Sequence, residues 1–236
     1  MEDHSHTTEA IQERLLGSEK FSYLRDFVYG AVDGAVTTFA IVAGVQGAGL
    51  STSIIVILGA ANIVADGFSM AAGNYSATKA DLDDRRRIIE IEERHIRDYR
   101  SGEIEELRQI LEKRGLSGQT LKDATDLIVE DKKKWIGFML TDEYGLSQEE
   151  PRPLRSALAT FTAFLAAGSV PLLPFVVSVP NAFETSIAAT ALTFFLIGTA
   201  KSRWSLAKWW YSGAETLFIG STAAAVAYWV GSLFHP

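Results

Sequence analysis

The chain has 236 residues, contains no cysteine and carries a formal net charge of −7. Without cysteine it can form neither disulfides nor thiolate metal sites. The sequence contains no phosphate-binding Walker motif, dinucleotide loop or nucleophile elbow, so it indicates no ATP-driven pump and we expect no enzyme. Acidic and basic residues are interleaved, and nothing in their pattern indicates nucleic-acid binding.

Charge is strongly segregated along the chain. It is concentrated in residues 1–26 and 79–155, whereas most of the remainder is almost uncharged. Membrane proteins divide their residues in this way. Residues 1–26 are polar and have no apolar core, so we expect no signal peptide there. His4 and His6 in this tail could bind a metal loosely, but a disordered tail is the expected state.

Five apolar stretches are each about long enough to cross a hydrocarbon core of roughly 30 Å. They comprise residues 27–50, 54–75, 156–179, 182–200 and 214–234. The alternative, a soluble core, would have to bury five such helices in a short chain, and we favour it less. We therefore expect an all-α membrane protein with five transmembrane helices, and we place Glu184 at the membrane surface.

The basic residues predict the orientation of these spans. All 22 Lys and Arg lie before the first span, between the second and third, or between the fourth and fifth. Because basic residues accumulate in cytoplasmic loops, the N-terminus and both charged loops are expected in the cytoplasm and the C-terminus outside. Trp204, Trp209, Trp210 and Tyr211 resemble an interfacial aromatic belt.

The charged middle of the chain is expected to fold as a cytoplasmic module. Glu, Arg, Ile and Leu recur at helical spacing over residues 80–100, 103–114 and 120–144, which predicts three helices. The first of them can continue directly from span two. The predicted organisation is a cytoplasmic segment at 1–26, spans at 27–76, a helical module at 77–153 and spans at 154–236.

The third span carries the sequence Pro-Leu-Leu-Pro at residues 171–174. Proline removes a backbone donor and frees a carbonyl one turn earlier, which kinks a helix. In a membrane such groups persist only where protein or water satisfies them. A broken helix near a pathway and a simple packing kink are both compatible with this pattern.

Two aspartates, Asp33 and Asp66, lie inside the first two apolar stretches. An ionisable residue at membrane depth costs roughly 3 kcal/mol on insertion scales, so its default interpretation is functional. Asp26 precedes Asp33 by seven residues, which places the two on one helix face. We expect Asp26 at the cytoplasmic mouth and Asp33 deeper in the membrane.

The second span presents a stripe at four-residue steps, formed by Asn62, Asp66, Met70 and Asn74. Carboxylate, amide oxygen and thioether together suit a first-row divalent ion better than calcium or magnesium. The alternative is that Asp66 and the asparagines only bond between helices. Both spans are also rich in small residues, which permit close helix contact and make pairing across a homodimer plausible.

The cytoplasmic helices offer further carboxylates at spacings of three or four. The candidate ligands are Glu90, Glu92, Glu93, Glu103, Glu106, Met139 and Glu143. Such spacing puts carboxylates on one helix face, although glutamates on a helix are more often simply solvated. Glu92 and His95 form a single Glu-x-x-His, whereas a di-iron bundle needs two, so we expect His95 to be a surface residue.

At these residues the chain resembles the vacuolar iron transporter family. The resemblance runs from Phe21 over nearly the whole remaining chain. It is carried by residues 33–44 (DGAVTTFAIVAG), 65–73 (ADGFSMAAG), 138–146 (FMLTDEYGL), 171–175 (PLLPF) and 220–231. The resemblance implies five spans with a metal-binding module between spans two and three. It also implies export of Fe²⁺ or Mn²⁺ by proton antiport through a homodimer whose pathway is lined by span one.

The resemblance also implies roles for single residues. Asp33 matches an intramembrane metal carboxylate, Met70 its thioether partner and Asp26 an acidic residue at the entrance. Glu103, Glu106, Met139 and Glu143 fall on ligand positions of the module. Two departures stand out: Leu140 follows Met139 where a glutamate is expected, and the first glutamate pair fits either as Glu90 with Glu93 or with Glu92 in register.

We therefore predict a secondary transporter exporting Fe²⁺ or Mn²⁺, with Co²⁺ and Zn²⁺ as further candidate ions and no prosthetic group. Protons, the lipid membrane and a second copy of the chain are the expected partners. The alternative is a membrane-anchored metal sensor or scaffold without transport, and a third class is a di-iron oxidase. A prokaryotic cell membrane is the expected location, or a vacuolar membrane in a eukaryote. The role of Asp66 is left open.

Overall fold

The computed structural model describes residues 7–17, 22–147, 149–203 and 205–234. The tail histidines His4 and His6 and the belt residue Trp204 lie outside these ranges. The chain divides into two compact units. The charged unit comprises Met1–Phe21 and Thr78–Arg152, and the apolar unit comprises Ser22–Ala77 and Pro153–Pro236.

The described residues contain helices and turns but no strand. The helices, in chain order, are α1 (Thr8–Gly17), α2 (Leu24–Gly47), α3 (Thr52–Asp98), α4 (Arg100–Lys113), α5 (Gly118–Val129), α6 (Lys132–Asp142), α7 (Pro153–Ser169), α8 (Leu173–Val176), α9 (Ala182–Ser202) and α10 (Trp209–Ser232). A 3₁₀ turn at Val170–Leu172 joins α7 to α8. The predicted all-helical class is confirmed.

Among the residues that the structure describes, four helical segments are long and apolar enough to cross a membrane. They are α2, α3, the segment Pro153–Val176 and α9. The fifth predicted stretch is also helical, as the 24 residues of α10, but α10 is not among these four. The fifth span therefore stays a prediction.

Helix α3 runs without interruption for 47 residues, from the second apolar stretch into the charged segment. The second apolar stretch and the first helix of the charged segment therefore form one continuous helix, as the sequence allowed. Its residues up to Ala77 belong to the apolar unit, and those from Thr78 belong to the charged unit.

The predicted helix at residues 120–144 is two helices, so the expected three-helix module is wrong in this count. Helix α5 ends at Val129, and α6 begins at Lys132. The Asp131 side chain accepts hydrogen bonds from the backbone N–H groups of Lys133 (3.0 Å) and Lys134 (3.3 Å). This N-cap satisfies donors that a helix start leaves free. The sequence pattern predicts a single helix because its apolar periodicity continues through this break.

The charged unit has its own hydrophobic core, drawn from α3, α4, α5 and α6. Its buried members are Ile88, Ile96, Leu107, Leu111, Leu121, Trp135, Ile136, Met139 and Leu140. Trp135 and Leu107 are fully inaccessible. This core fixes the facing sides of α3, α4 and α6, which carry the glutamates discussed below.

In the apolar unit, small residues bring α2 close to its neighbours. A Cβ added at Gly34 would lie 2.5 Å from the carbonyl oxygen of Phe164 on α7. One added at Gly47 would lie 2.5 Å from the carbonyl oxygen of Tyr228 on α10. Side chains there would force the backbones apart. These glycines of α2 therefore serve packing within the chain.

The Pro-Leu-Leu-Pro segment interrupts the third apolar stretch as predicted. The helix tightens into the 3₁₀ turn at Val170–Leu172 before α8 begins. The buried Ser186 hydroxyl of α9 donates a 2.7 Å hydrogen bond to the carbonyl oxygen of Pro171. A neighbouring helix thus stabilises the break, which is the condition that membrane depth imposes on freed backbone groups.

Candidate metal sites

Two hydrogen bonds fix the register of the antiparallel helices α2 and α3. Near one end, the Asn62 amide donates to the Thr37 hydroxyl over 3.5 Å. Near the other, the Asn74 amide donates to the Asp26 carboxylate over 3.0 Å. Asn62 lies 25 residues after Thr37, and Asn74 lies 48 residues after Asp26. Because the two helices run in opposite directions, the residues between these contacts follow each other in matching order along α2 and α3.

This register places Asp66 opposite Asp33. The carboxylate of Asp66 acts electrostatically on that of Asp33. Met70 follows Asp66 by one helical turn and so lies on the same face of α3. Asp33, Asp66 and Met70 are all half-buried. We call the set the polar seam: Asp26, Asp33, Thr37, Asn62, Asp66, Met70 and Asn74.

Asn74 connects three helices at one end of the polar seam. Besides Asp26, its amide nitrogen contacts the Thr160 hydroxyl at 2.7 Å and the Ser156 carbonyl oxygen at 3.3 Å, both on α7. Thr160 is fully buried. Asn74 therefore acts as a donor that orients the Asp26 carboxylate, a role different from the ligand role considered for it.

The charged unit brings together Glu92, His95 and Glu103. One ligand atom from each lies within 4.8 Å of the other two. Nδ1 of His95 is 3.2 Å from a carboxylate oxygen of Glu103. Glu92 and Glu103 are only 1% and 6% exposed. We call these three residues the acid–imidazole cluster. It joins the charged part of α3 to the first turn of α4.

Each of the two buried carboxylates has one oxygen without a hydrogen-bond partner. Oε1 of Glu92 accepts a 2.9 Å hydrogen bond from the Tyr144 hydroxyl. Oε2 of Glu92 and Oε2 of Glu103 are buried and accept none. Leaving a buried charged oxygen unpaired is unfavourable. A cation between the two carboxylates would satisfy both.

Further carboxylates reinforce this negative field. Burial, followed by the charges of Glu92 and Glu106, raises the pKa of Glu103. Burial and the charges of Glu106 and Glu92 raise the pKa of Glu143 to about 7. Among the described residues, the groups that shift these two pKa values are other carboxylates, His95 and Tyr144. The balance of charge around the cluster favours a bound cation.

The remaining predicted ligands of the charged unit have different placements. Glu106 and Glu143 are exposed as whole residues, although the Glu143 carboxylate is partly desolvated, and both interact with the cluster through their charges. Met139 is fully buried in the hydrophobic core, beside Leu140 in sequence.

The two alternative registers of the first glutamate pair are distinguished by the fold. Glu92 lies in the cluster. Glu90 and Glu93 are exposed, and Glu93 faces Lys132 at 3.6 Å in a surface ion pair. The fold therefore does not bring Glu90 or Glu93 to the cluster.

His95 is the member that the sequence interpretation missed. We expected a surface residue, but its ring nitrogen contacts a buried carboxylate and its side chain is 39% exposed. The helical spacing of three from Glu92 was the available signal, since it places both on one face. That signal was set aside because no second Glu-x-x-His exists.

The fold and the two candidate sites indicate a helical, multi-pass membrane protein with candidate metal ligands in both units. Comparison with known proteins then identifies the family. The sequence model of the VIT family matches residues 24–232. The chain belongs to the VIT family, which confirms the resemblance seen in the sequence.

Individual relatives agree over most of their length. Vacuolar iron transporter 1 of Arabidopsis thaliana is 32% identical over 209 residues, which is 87% of this chain and 83% of that protein. Vacuolar iron transporter 1 of Tulipa gesneriana is 33% identical over 208 residues, 87% and 84% of the two chains. The vacuolar iron transporter of Toxoplasma gondii is 32% identical over 225 residues, 90% and 74% respectively.

Proposed function

We propose that this chain is a secondary transporter that exports Fe²⁺ or Mn²⁺ from the cytosol in exchange for protons. The observation that carries the proposal is the polar seam, where Asp33 and Asp66 interact within two helices of membrane length. Carboxylates are costly at membrane depth unless they serve an ion or proton path. The names of the relatives support iron as the cargo.

The seam supplies a chemical basis for exchange. A carboxylate must be deprotonated to bind a metal ion, so metal binding releases a proton and protonation releases the metal. Asp33 and Asp66 would alternate between the two cargoes, with Met70 as a soft ligand on the same face. Asp26, held by Asn74 at 3.0 Å, would admit the ion at the cytoplasmic end.

The acid–imidazole cluster would capture the ion before transport. Its two unpaired buried oxygens and the neighbouring charges of Glu106 and Glu143 favour a divalent cation. The distribution of basic residues supports a cytoplasmic position for the charged unit. In this scheme the cluster concentrates cargo, and the seam moves it.

The proposal includes a homodimer in which α2 of both copies lines the path, as the resemblance to the family implies. It also includes an organelle membrane, since the relatives above are named as vacuolar transporters. If the chain works in a prokaryote, the cell membrane takes that place. The orientation, with the N-terminus in the cytoplasm and the C-terminus outside, rests on the basic residues.

A second candidate function is a membrane-anchored metal sensor or scaffold. The observation that favours it is that the acid–imidazole cluster is complete within the charged unit. Such a protein would bind metal ions and would move none across the membrane.

A flux measurement separates the two functions. The full-length protein is reconstituted in liposomes containing a metal-sensitive dye, and Fe²⁺, Mn²⁺, Co²⁺ or Zn²⁺ is added outside with and without a pH gradient. We expect metal influx that the proton gradient accelerates, accompanied by proton movement in the opposite direction. Metal binding without flux under either condition would establish the sensor instead.

A further inference from the structure

The acid–imidazole cluster contains one pair of atoms with the spacing of ligands on a single metal ion, and its third ligand atom lies nearby. Metal–ligand bonds of about 2.1 Å hold neighbouring ligand atoms roughly 3.0 to 3.4 Å apart. Nδ1 of His95 and the Glu103 oxygen are 3.2 Å apart, and all three ligand atoms lie within 4.8 Å. An ion could therefore bind after side-chain movements on the order of 1 Å, which side-chain rotation can supply without moving the helices.

An ion pair between His95 and Glu103 does not by itself account for the cluster. That contact uses one oxygen of Glu103 and leaves Oε2 of Glu103 and Oε2 of Glu92 buried without partners. A protonated imidazole carries one positive charge, whereas Glu92, Glu103, Glu106 and Glu143 present four carboxylates. A divalent ion would offset two of these negative charges and could bind the unpaired oxygens.

We propose that His95 is a nitrogen ligand of a site formed with Glu92 and Glu103, and that it biases this site toward Fe²⁺, Co²⁺ and Zn²⁺ over Mn²⁺. Imidazole suits iron, cobalt and zinc, whereas carboxylates and water suit manganese, magnesium and calcium. The inference deepens the proposed function and rests on it only in taking the bound ion to be the transported cargo.

The arrangement also suits release of the ion. Three protein ligands leave coordination positions for water, whereas a permanent structural site is closed by four. His95 is 39% exposed at its side chain, so the ion has solvent on that side. Tyr99 contacts the imidazole edge-on, with ring centroids 6.3 Å apart, and restricts its orientation.

The first test detects the nitrogen ligand directly by spectroscopy. Full-length protein in detergent is loaded with one equivalent of Mn²⁺, and pulsed electron paramagnetic resonance detects nitrogen bound to the ion. We expect nitrogen modulation that changes when the histidines are labelled with ¹⁵N. The double variant His4→Gln/His6→Gln should keep the signal, and His95→Gln should lose it. Manganese bound with no nitrogen modulation in the unaltered chain would overturn the proposal.

The second test measures ion preference by competition of Co²⁺ or Zn²⁺ with bound Mn²⁺. We expect His95→Glu, which keeps a ligand but replaces nitrogen by oxygen, to lower the preference for Co²⁺ over Mn²⁺ by at least about tenfold. The His4→Gln/His6→Gln protein should match the unaltered chain. An unchanged preference in His95→Glu would contradict the proposed role.

These readouts are independent of transport. Nitrogen coordination without metal flux in liposomes would retain His95 as a ligand and reject the transporter. Flux without nitrogen coordination would retain the transporter and reject the role of His95.

Discussion

The polar seam and the acid–imidazole cluster both rely on carboxylates, but they treat them differently. In the seam, Asp33 and Asp66 are half-buried and spread along two helices. In the cluster, Glu92 and Glu103 are almost fully buried, close together and partly unpaired. A sparse row of ligands permits movement from one to the next, whereas a compact and electrostatically strained group binds. On this contrast we base our proposal that the cluster captures the ion and the seam passes it.

The largest expected effect is on binding at the cluster. The double variant Glu92→Gln/Glu103→Gln removes both buried charges while keeping side-chain shape. We expect metal affinity of the full-length protein to fall at least about 100-fold, because both anionic ligands are lost. Isothermal titration with Co²⁺ measures this. The matched control Glu90→Gln/Glu93→Gln, at exposed positions outside the cluster, should bind normally. Equal losses in both variants would place the site elsewhere.

The next largest effect is expected at Asp66, where a substitution should reduce ion flux without changing metal binding at the cluster. We expect Asp66→Asn to reduce flux in liposomes about tenfold or more, because Asp33 loses the carboxylate opposite it. Titration of the same protein with Co²⁺ should give unchanged affinity at the cluster. The exposed Asp126→Asn serves as the control. Normal flux in Asp66→Asn would reduce Asp66 to a packing role.

Asn74 tests the stability of the seam itself. Replacing it by leucine keeps the branching at Cγ but removes the donor to Asp26, Thr160 and the Ser156 carbonyl. We expect a loss of about 1 to 3 kcal/mol in the free energy of unfolding, because buried acceptors lose their partner. Thermal unfolding in detergent measures the change. Ser76→Ala, an exposed position of the same helix, should have little effect, and an equally small effect of Asn74→Leu would contradict this assignment.

The smallest expected effect is a pH dependence of the metal-free protein. The pKa of Glu143 rises from its ordinary value of 4.5 to about 7 in the folded chain. The folded state therefore binds more protons than the unfolded state between these values, so stability falls as the pH rises from about 4.5 to about 7. Unfolding followed over this range should show the slope, and bound Co²⁺ should reduce it.

Two variants sharpen that test. Glu143→Gln should flatten the slope between pH 4.5 and 7. Glu105→Gln should leave it unchanged, because hydrogen bonds from Arg108 and Gln109 lower the pKa of Glu105 to about 2, below the range measured. A slope of opposite sign would show that these carboxylates are stabilised by their charge in the fold.

Much of this architecture could be read from the sequence because its cause is local. Apolar length predicted the helices that became α2, α3 and α9, and spacing predicted that Asp66 and Met70 share a face. The same approach missed the break between α5 and α6, since the cap at Asp131 interrupts a continuous apolar pattern only locally. Spacing alone also could not predict that Gly34 and Gly47 of α2 contact α7 and α10 of the same chain.

The candidate sites likewise depend on contacts between helices that the sequence pattern does not reveal. Which glutamate of the group Glu90, Glu92 and Glu93 faces Glu103 depends on how α3 is rotated against α4, and the hydrophobic core around Ile96 and Leu107 sets that rotation. Periodicity alone could not determine it. The role of His95 depends on the same tertiary contact. Asp66 gained a partner only when the bonds at Asn62 and Asn74 fixed the register of the two helices.

One paired measurement tests whether the cluster captures the ion and the seam moves it. Proton-coupled Fe²⁺ uptake and equilibrium metal binding are measured on the same preparations of the unaltered chain, Asp33→Ala and Glu92→Gln/Glu103→Gln. We expect Asp33→Ala to abolish uptake and to keep binding at the cluster. We expect the glutamate variant to lose high-affinity binding and to transport only at raised Fe²⁺ concentration. Full uptake by Asp33→Ala would show that Asp33 is not part of the pathway.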